Sequence, residues 1–165
     1  RDLVRSRGLG DVYKRQEEIC EYDRHVLALS NDPSCRDQQT LEAMAMLIAL
    51  REWSSYWSQI RITLILQSDN IGALSLVCNM EPKLSKALQT IAREMALDIA
   101  AATYSPEVAE HIPGISNIGA DVLSRKSDPN KVFKLPHYLV HVKQHLCRSR
   151  DATWWRTGPA APSME

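Results

Sequence analysis

A chain of 165 residues, 44% hydrophobic and 24% charged, is long enough for one buried core, and it has no run of ~20 apolar residues that would span a membrane. The N-terminus lacks the basic, apolar, small-residue progression of a secretory signal, so the expectation is a soluble intracellular protein, in cytoplasm or nucleus. Cys20, Cys35, Cys78 and Cys147 form no C-x-x-C pair, which argues against a zinc knuckle or a dithiol redox motif and favours reduced, mostly buried thiols.

The formal net charge of zero conceals a segregation. Residues 17–124 carry 7 basic and 15 acidic side chains, whereas residues 125–156 carry 8 basic and 2 acidic ones. Such a basic tail can lie along phosphates or can be an ordinary solvated surface.

In chain order, residues 1–16 (RDLVRSRGLGDVYKRQ) show no hydrophobic period and no turn logic, and they resemble translated adapter sequence. Residues 1–16 are therefore set aside, and the native sequence is expected to extend upstream of Glu17, with that part missing here. Tyr22 to Leu29 (YDRHVLAL) reads as a strand closed by Ser30-Asn31-Asp32-Pro33. Leu41, Met44, Ala45 and Ile48 follow the 3.6-residue period and predict an amphipathic helix over Gln38 to Trp57, with Trp53 and Trp57 in the core. Arg61 to Gln67 (RITLILQ) is a β-branched and leucine run, apolar on both faces, which predicts a central strand covered on both sides.

A short helix is expected over Ile71 to Asn79, and a longer one over Leu84 to Ala101 with Leu84, Leu88, Ile91, Met95 and Ile99 as its buried stripe. Tyr104-Ser105-Pro106 then reads as a turn, Val108 to Ile112 as a strand and Pro113-Gly114 as a second turn. Ser116 or Asn117 caps a last helix reaching about Arg125. This alternation implies an α/β layer structure with a sheet that is at least partly parallel. Residues 127–165 read as a basic tail with one short helix, His137 to Cys147, and a disordered end from Gly158. On that helix His137, His141 and His145 would stack on one side. Trp154 and Trp155 would be either docking residues for a neighbouring region or remnants without a partner.

Three carboxylates have the placement that chemistry would need. Glu42 lies early in the first long helix, Asp69 at the carboxyl end of the central strand, and Asp121 on the last helix. Singly, each has an ordinary reading: a first-turn carboxylate favoured by the helix dipole for Glu42, an N-cap for Asp69. Together they suit a hard divalent cation, because open α/β sheets bind ligands beyond the carboxyl ends of their strands.

Gln39 to Trp53 (QTLEAMAMLIALREW), Gln67 to Leu74 (QSDNIGAL) and His111 to Arg125 (HIPGISNIGADVLSR) resemble, in order and spacing, three consecutive motifs of the ribonuclease H domain in retrotransposon reverse transcriptases, especially the gypsy-like and DIRS-like groups. The resemblance implies that Glu42, Asp69 and Asp121 are the second, third and fourth of four metal-binding carboxylates, and that Ser68, Asn70 and Asn117 lie near the substrate. It also implies two Mg²⁺ or Mn²⁺ ions, an RNA:DNA hybrid as substrate, and a polymerase domain in the same polyprotein. The fold implied is a ribonuclease H-like mixed five-stranded sheet flanked by helices, here lacking its first strands, with residues 17–126 as a partial domain.

Two departures accompany the resemblance. The family's first carboxylate has no counterpart ahead of Glu42, and Tyr22 to Leu29 takes the place of the third strand. Ile115 follows Gly114 where cellular relatives often carry a mobile histidine, and His111 reads as a structural strand-end residue. A non-catalytic ribonuclease H-like nucleic-acid-binding or connecting module is the alternative. An integrase-type relative is disfavoured by NIGADVLSR, residues 117–125.

Overall fold

The computed structural model describes residues 19–29, 37–56, 62–79, 85–101, 104–113, 116–124, 126, 130, 132–143 and 147–157. The adapter-like segment, Trp57 and the terminus from Gly158 lie outside the described residues. The elements are α1 (Glu21–Leu27), α2 (Gln38–Glu52) with a 3₁₀ turn at Ser54–Tyr56, β1 (Ile62–Ser68), α3 (Ile71–Asn79), α4 (Lys86–Ala101), β2 (Tyr104–His111), α5 (Ile118–Ser124) and a second 3₁₀ turn at His137–Leu139. No helix among the described residues is long and apolar enough to cross a membrane.

The first element is a helix and not the strand expected over Tyr22 to Leu29. A capping box starts it: the Cys20 thiol accepts from the Asp23 amide at 3.4 Å, and the Asp23 carboxylate accepts from the Cys20 amide at 3.0 Å. The buried residues Asp23, Val26 and Leu27 then stand at i, i+3 and i+4, a helical face that a short apolar alternation hides.

Helix α2 buries Thr40, Ala43, Met44, Leu47, Leu50 and Arg51, together with Leu41. Of the expected stripe, Leu41 and Met44 are buried, Ile48 is half-buried and Ala45 faces outward. The helix is apolar nearly all round, so its pattern alone does not orient it. Trp53, expected in the core, stands half exposed where the helix gives way to the 3₁₀ turn. In α4 the expected stripe holds at Leu88, Ile91 and Met95, all buried, while Ile99 is half-buried and Leu84 lies outside the described residues.

Strands β1 and β2 pair in parallel, Ile62 opposite Tyr104 and Ser68 opposite His111. The register slips between Thr63 and Ile65, where β2 carries an extra residue near Pro106. Proline has no amide hydrogen to give to a ladder, so a bulge is the usual way to keep it in a strand, and the expected turn at Tyr104-Ser105-Pro106 is part of β2 instead. Leu66 packs toward the helical core while Ile65, 63% exposed, and Gln67 face away. The expectation that β1 is covered on both faces is not met among the described residues.

Helix α3 packs on both strands, α2 packs on α3 and α4, and α1 packs on α4. The core joins Val26, Leu27, Ala43, Met44, Leu47, Ala73, Leu76, Leu88, Ile91, Ala92, Met95 and Trp155. Trp155 is 1% exposed, so residues 147–157 run back against the helices, and the expectation that the two tryptophans serve an outside partner or none is corrected. Within the expected helix at His137 to Cys147, the described residues 137–143 form a single 3₁₀ turn at His137–Leu139, so His137 and His141 do not share a helix face; His145 lies outside the described residues. The β-branched Val140 and Val142 that follow the turn weaken helical continuation.

Candidate functional site

The carboxyl edge of the parallel pair gathers the residues singled out above. Strand β1 ends at Ser68, whose carbonyl accepts from the Ile112 amide at 3.0 Å, so the two strands finish side by side. Asp69 follows β1 directly. From the end of β2 the chain turns at Pro113, whose carbonyl accepts from the Ser116 amide at 2.7 Å, and enters α5, where the Asp121 amide donates to the Asn117 carbonyl at 2.9 Å. Asp69 and the helix carrying Asp121 therefore leave from one edge of the sheet. His111 stands exposed at the end of β2, opposite Ser68.

A cleft of about 410 Å³ opens there, lined by Gln38, Gln39, Glu42, Asp69, Asn70, Ile71 and Gly72. It brings together two of the three carboxylates, Glu42 from the second turn of α2 and Asp69 from the end of β1. Asp121 is not among the described residues that line it, although its helix starts at the same edge. The carboxylate and amide oxygens present are of the hard type that Mg²⁺ takes. Among the described residues no group of three or more His, Cys, Asp or Glu side chains is close enough together to hold a metal ion.

The loop around Asp69 is held from both sides. Ser68, 5% exposed, accepts from the Asn70 amide through its hydroxyl at 3.0 Å. The Asn70 side-chain oxygen accepts from the Ala73 amide at 3.0 Å, which makes Asn70, and not Asp69, the N-cap of α3. Asp69 is thereby left exposed at the cleft. Asn117 occupies the N-cap position of α5, half-buried. Gln38, Gln39 and Gly72 carried no signal in the sequence. A β-carbon at Gly72 would stand 2.7 Å from the Gln39 side-chain carbon Cδ, so the glycine is what lets the Gln39 amide enter the cleft.

A network of buried charges lies away from this cleft, under residues 147–157. The Arg51 guanidinium donates to Asp98 at 2.6 and 3.1 Å, to Glu94 at 2.5 Å and to the Trp154 carbonyl at 2.7 Å, and its carbon lies 4.4 Å from the Trp154 ring centroid. Glu94 also accepts from the amide and hydroxyl of Thr157, both at 2.7 Å, and Arg156 reaches Asp98 at 2.8 Å. Burial pushes the Glu94 carboxyl up, but the hydrogen bonds from Arg51 and Thr157 outweigh it and hold the carboxyl below its ordinary value. Burial pulls the Arg51 guanidinium down, and its bonds to Asp98 and Glu94 more than restore it.

A second knot joins Asp23 to the Arg150 guanidinium at 2.8 Å and to the Trp155 indole N–H at 2.9 Å, with the Cys20 thiol donating to the Arg150 carbonyl at 3.2 Å. Burial raises the pKa of that thiol. Of the four cysteines expected to be mostly buried, Cys20 is half-buried and Cys147 exposed, and the Cys35 and Cys78 side chains lie outside the described residues. Each buried charge in these knots is met by opposite charge and hydrogen bonds, which is how a core carries ions and not how a cleft poises them for reaction.

The fold class is α/β. Comparisons with family models, curated proteins and solved structures give no match.

Proposed function

We propose that the chain belongs to a metal-dependent endonuclease of the ribonuclease H type, acting on the RNA strand of an RNA:DNA hybrid within a reverse-transcriptase polyprotein. The observation that supports this most is the meeting of Glu42 and Asp69, far apart in sequence, in one cleft at the carboxyl edge of two parallel strands, with the Asp121 helix leaving the same edge. By the family resemblance Glu42, Asp69 and Asp121 would hold Mg²⁺ or Mn²⁺, two ions in the intact domain, with Glu42 and Asp69 the two that share the cleft here; the metal would supply Lewis-acid activation of water and charge for the leaving oxygen. The chain's own part is placement. Ser68 and Asn70 hold the loop that presents Asp69, and Asn117 sets the start of the helix that carries Asp121.

A non-catalytic nucleic-acid-binding or connecting module is the second reading, favoured by the lack of a three-group metal cluster among the described residues. Cleavage of a labelled hybrid during Mg²⁺ and Mn²⁺ titration separates the two. Metal-dependent cleavage that drops by about 100-fold or more in Asp69→Asn, the loss of several kcal/mol of charge stabilisation, is the expected result. Cleavage indifferent to Asp69→Asn removes the catalytic reading, and hybrid binding without any cleavage selects the module.

A further inference from the structure

Two sets of basic side chains stand apart among the described residues from 132 onward. Arg148, Arg150 and Arg156 are engaged by the acidic body of the protein, at Glu52, Asp23 and Asp98. Residues 132–143 (VFKLPHYLVHVK) contain two lysines, two histidines and no carboxylate, and Lys134, His137, Tyr138 and Lys143 are all exposed. Within this segment the His137 and Tyr138 rings stand edge to face, centroids 5.6 Å apart. The segment also touches α5, the helix that leaves the same sheet edge as Asp69: the Tyr138 hydroxyl lies 2.6 Å from where a β-carbon on Gly119 would be, two residues before Asp121.

We propose that residues 132–143 form a nucleic-acid-contacting surface beside α5. Lys134 and Lys143 meet the phosphate backbone, and the exposed Tyr138 ring offers a face to a base or sugar. The inference rests on the functional reading above and assigns the strand-holding surface that a cleft lined with carboxylates does not itself provide. Phosphates attract cations and release counterions, and aromatic faces stack on any base, so charge and ring together fit a polynucleotide better than an acidic peptide.

Fluorescence anisotropy with a short labelled RNA:DNA hybrid in EDTA tests binding apart from cleavage. The paired substitution Lys134→Ala and Lys143→Ala, at two exposed positions, is expected to weaken binding several-fold and to reduce the slope of log K against log salt by about 2. Tyr138→Ala is expected to weaken binding several-fold with the slope unchanged, as loss of stacking requires. Wild-type affinity and slope in the double-lysine variant overturn the surface, as does polyglutamate competing as well as unlabelled hybrid. Cleavage that persists with unaltered affinity in that variant sinks the surface and leaves the catalytic reading standing. Lysine-dependent binding by a chain that does not cleave does the reverse.

Discussion

Replacing Trp155 tests whether the C-terminal segment belongs to the core. Its side chain is 1% exposed among the core residues, and its indole N–H donates to Asp23, itself fully buried, at 2.9 Å. Truncating a buried tryptophan to alanine costs about 3–5 kcal/mol in cavity and transfer terms. Against a total stability of about 5–15 kcal/mol, that is a large fraction of what holds the fold. With a urea dependence near 2 kcal/mol per molar, Trp155→Ala should lower the unfolding midpoint by about 2 M. Trp155→Phe keeps most of the apolar area and loses the hydrogen bond to a charged acceptor, about 1.5–3 kcal/mol, so its midpoint should fall by about 1 M. Far-UV circular dichroism reads both transitions without relying on the ring being removed. Two variants that unfold where the wild type does would show that residues 147–157 are not docked, and the account of the ion-pair knots would go with them.

The same segment supports two further expectations. Arg51→Met leaves Glu94 and Asp98 buried with only Thr157 and Arg156 as partners, and should cost about 3–5 kcal/mol in urea unfolding; a loss below about 1 kcal/mol would mean that Arg51 is not their counter-ion. Because the Glu94 carboxyl is held below its ordinary value in the folded protein, its stabilisation is complete above the unfolded-state value and is lost as the pH falls through the folded one. Thermal unfolding measured across the acid range should therefore decline more steeply for the wild type than for Glu94→Gln, and parallel curves would refute the assignment.

Where local chemistry decided the outcome, the elements could be read from the residues alone. The parallel-sheet α/β class, α3 over Ile71–Asn79, the body of α4 and its stripe through Leu88, Ile91 and Met95 all follow from periodicity and from the breaks around Glu81-Pro82. Asp69 at the end of β1 was equally legible, since it depends only on where an apolar run stops. The helix at Glu21–Leu27 does not show in the sequence because its buried face includes an aspartate. Asp23 can be buried only by virtue of Arg150 and Trp155, 127 and 132 residues further along the chain.

The candidate site divides the same way. Glu42 and Asp69 could be chosen by residue type and position, but their sharing a cleft, and the presence of Gln39 beside Gly72, depend on how α2 lies across the sheet edge. The basic tail was visible as a composition and ambiguous as a function, because a charge declares its sign in the sequence and its partner only in space. The residues alone carry the sign of each segment, the period of α4 and the strand end at Asp69. Only the folded chain brings Arg148, Arg150 and Arg156 to Glu52, Asp23 and Asp98 and buries Arg150 against its counter-ion, while Lys134 and Lys143 stay exposed, since burial of an ion requires an opposite charge within reach.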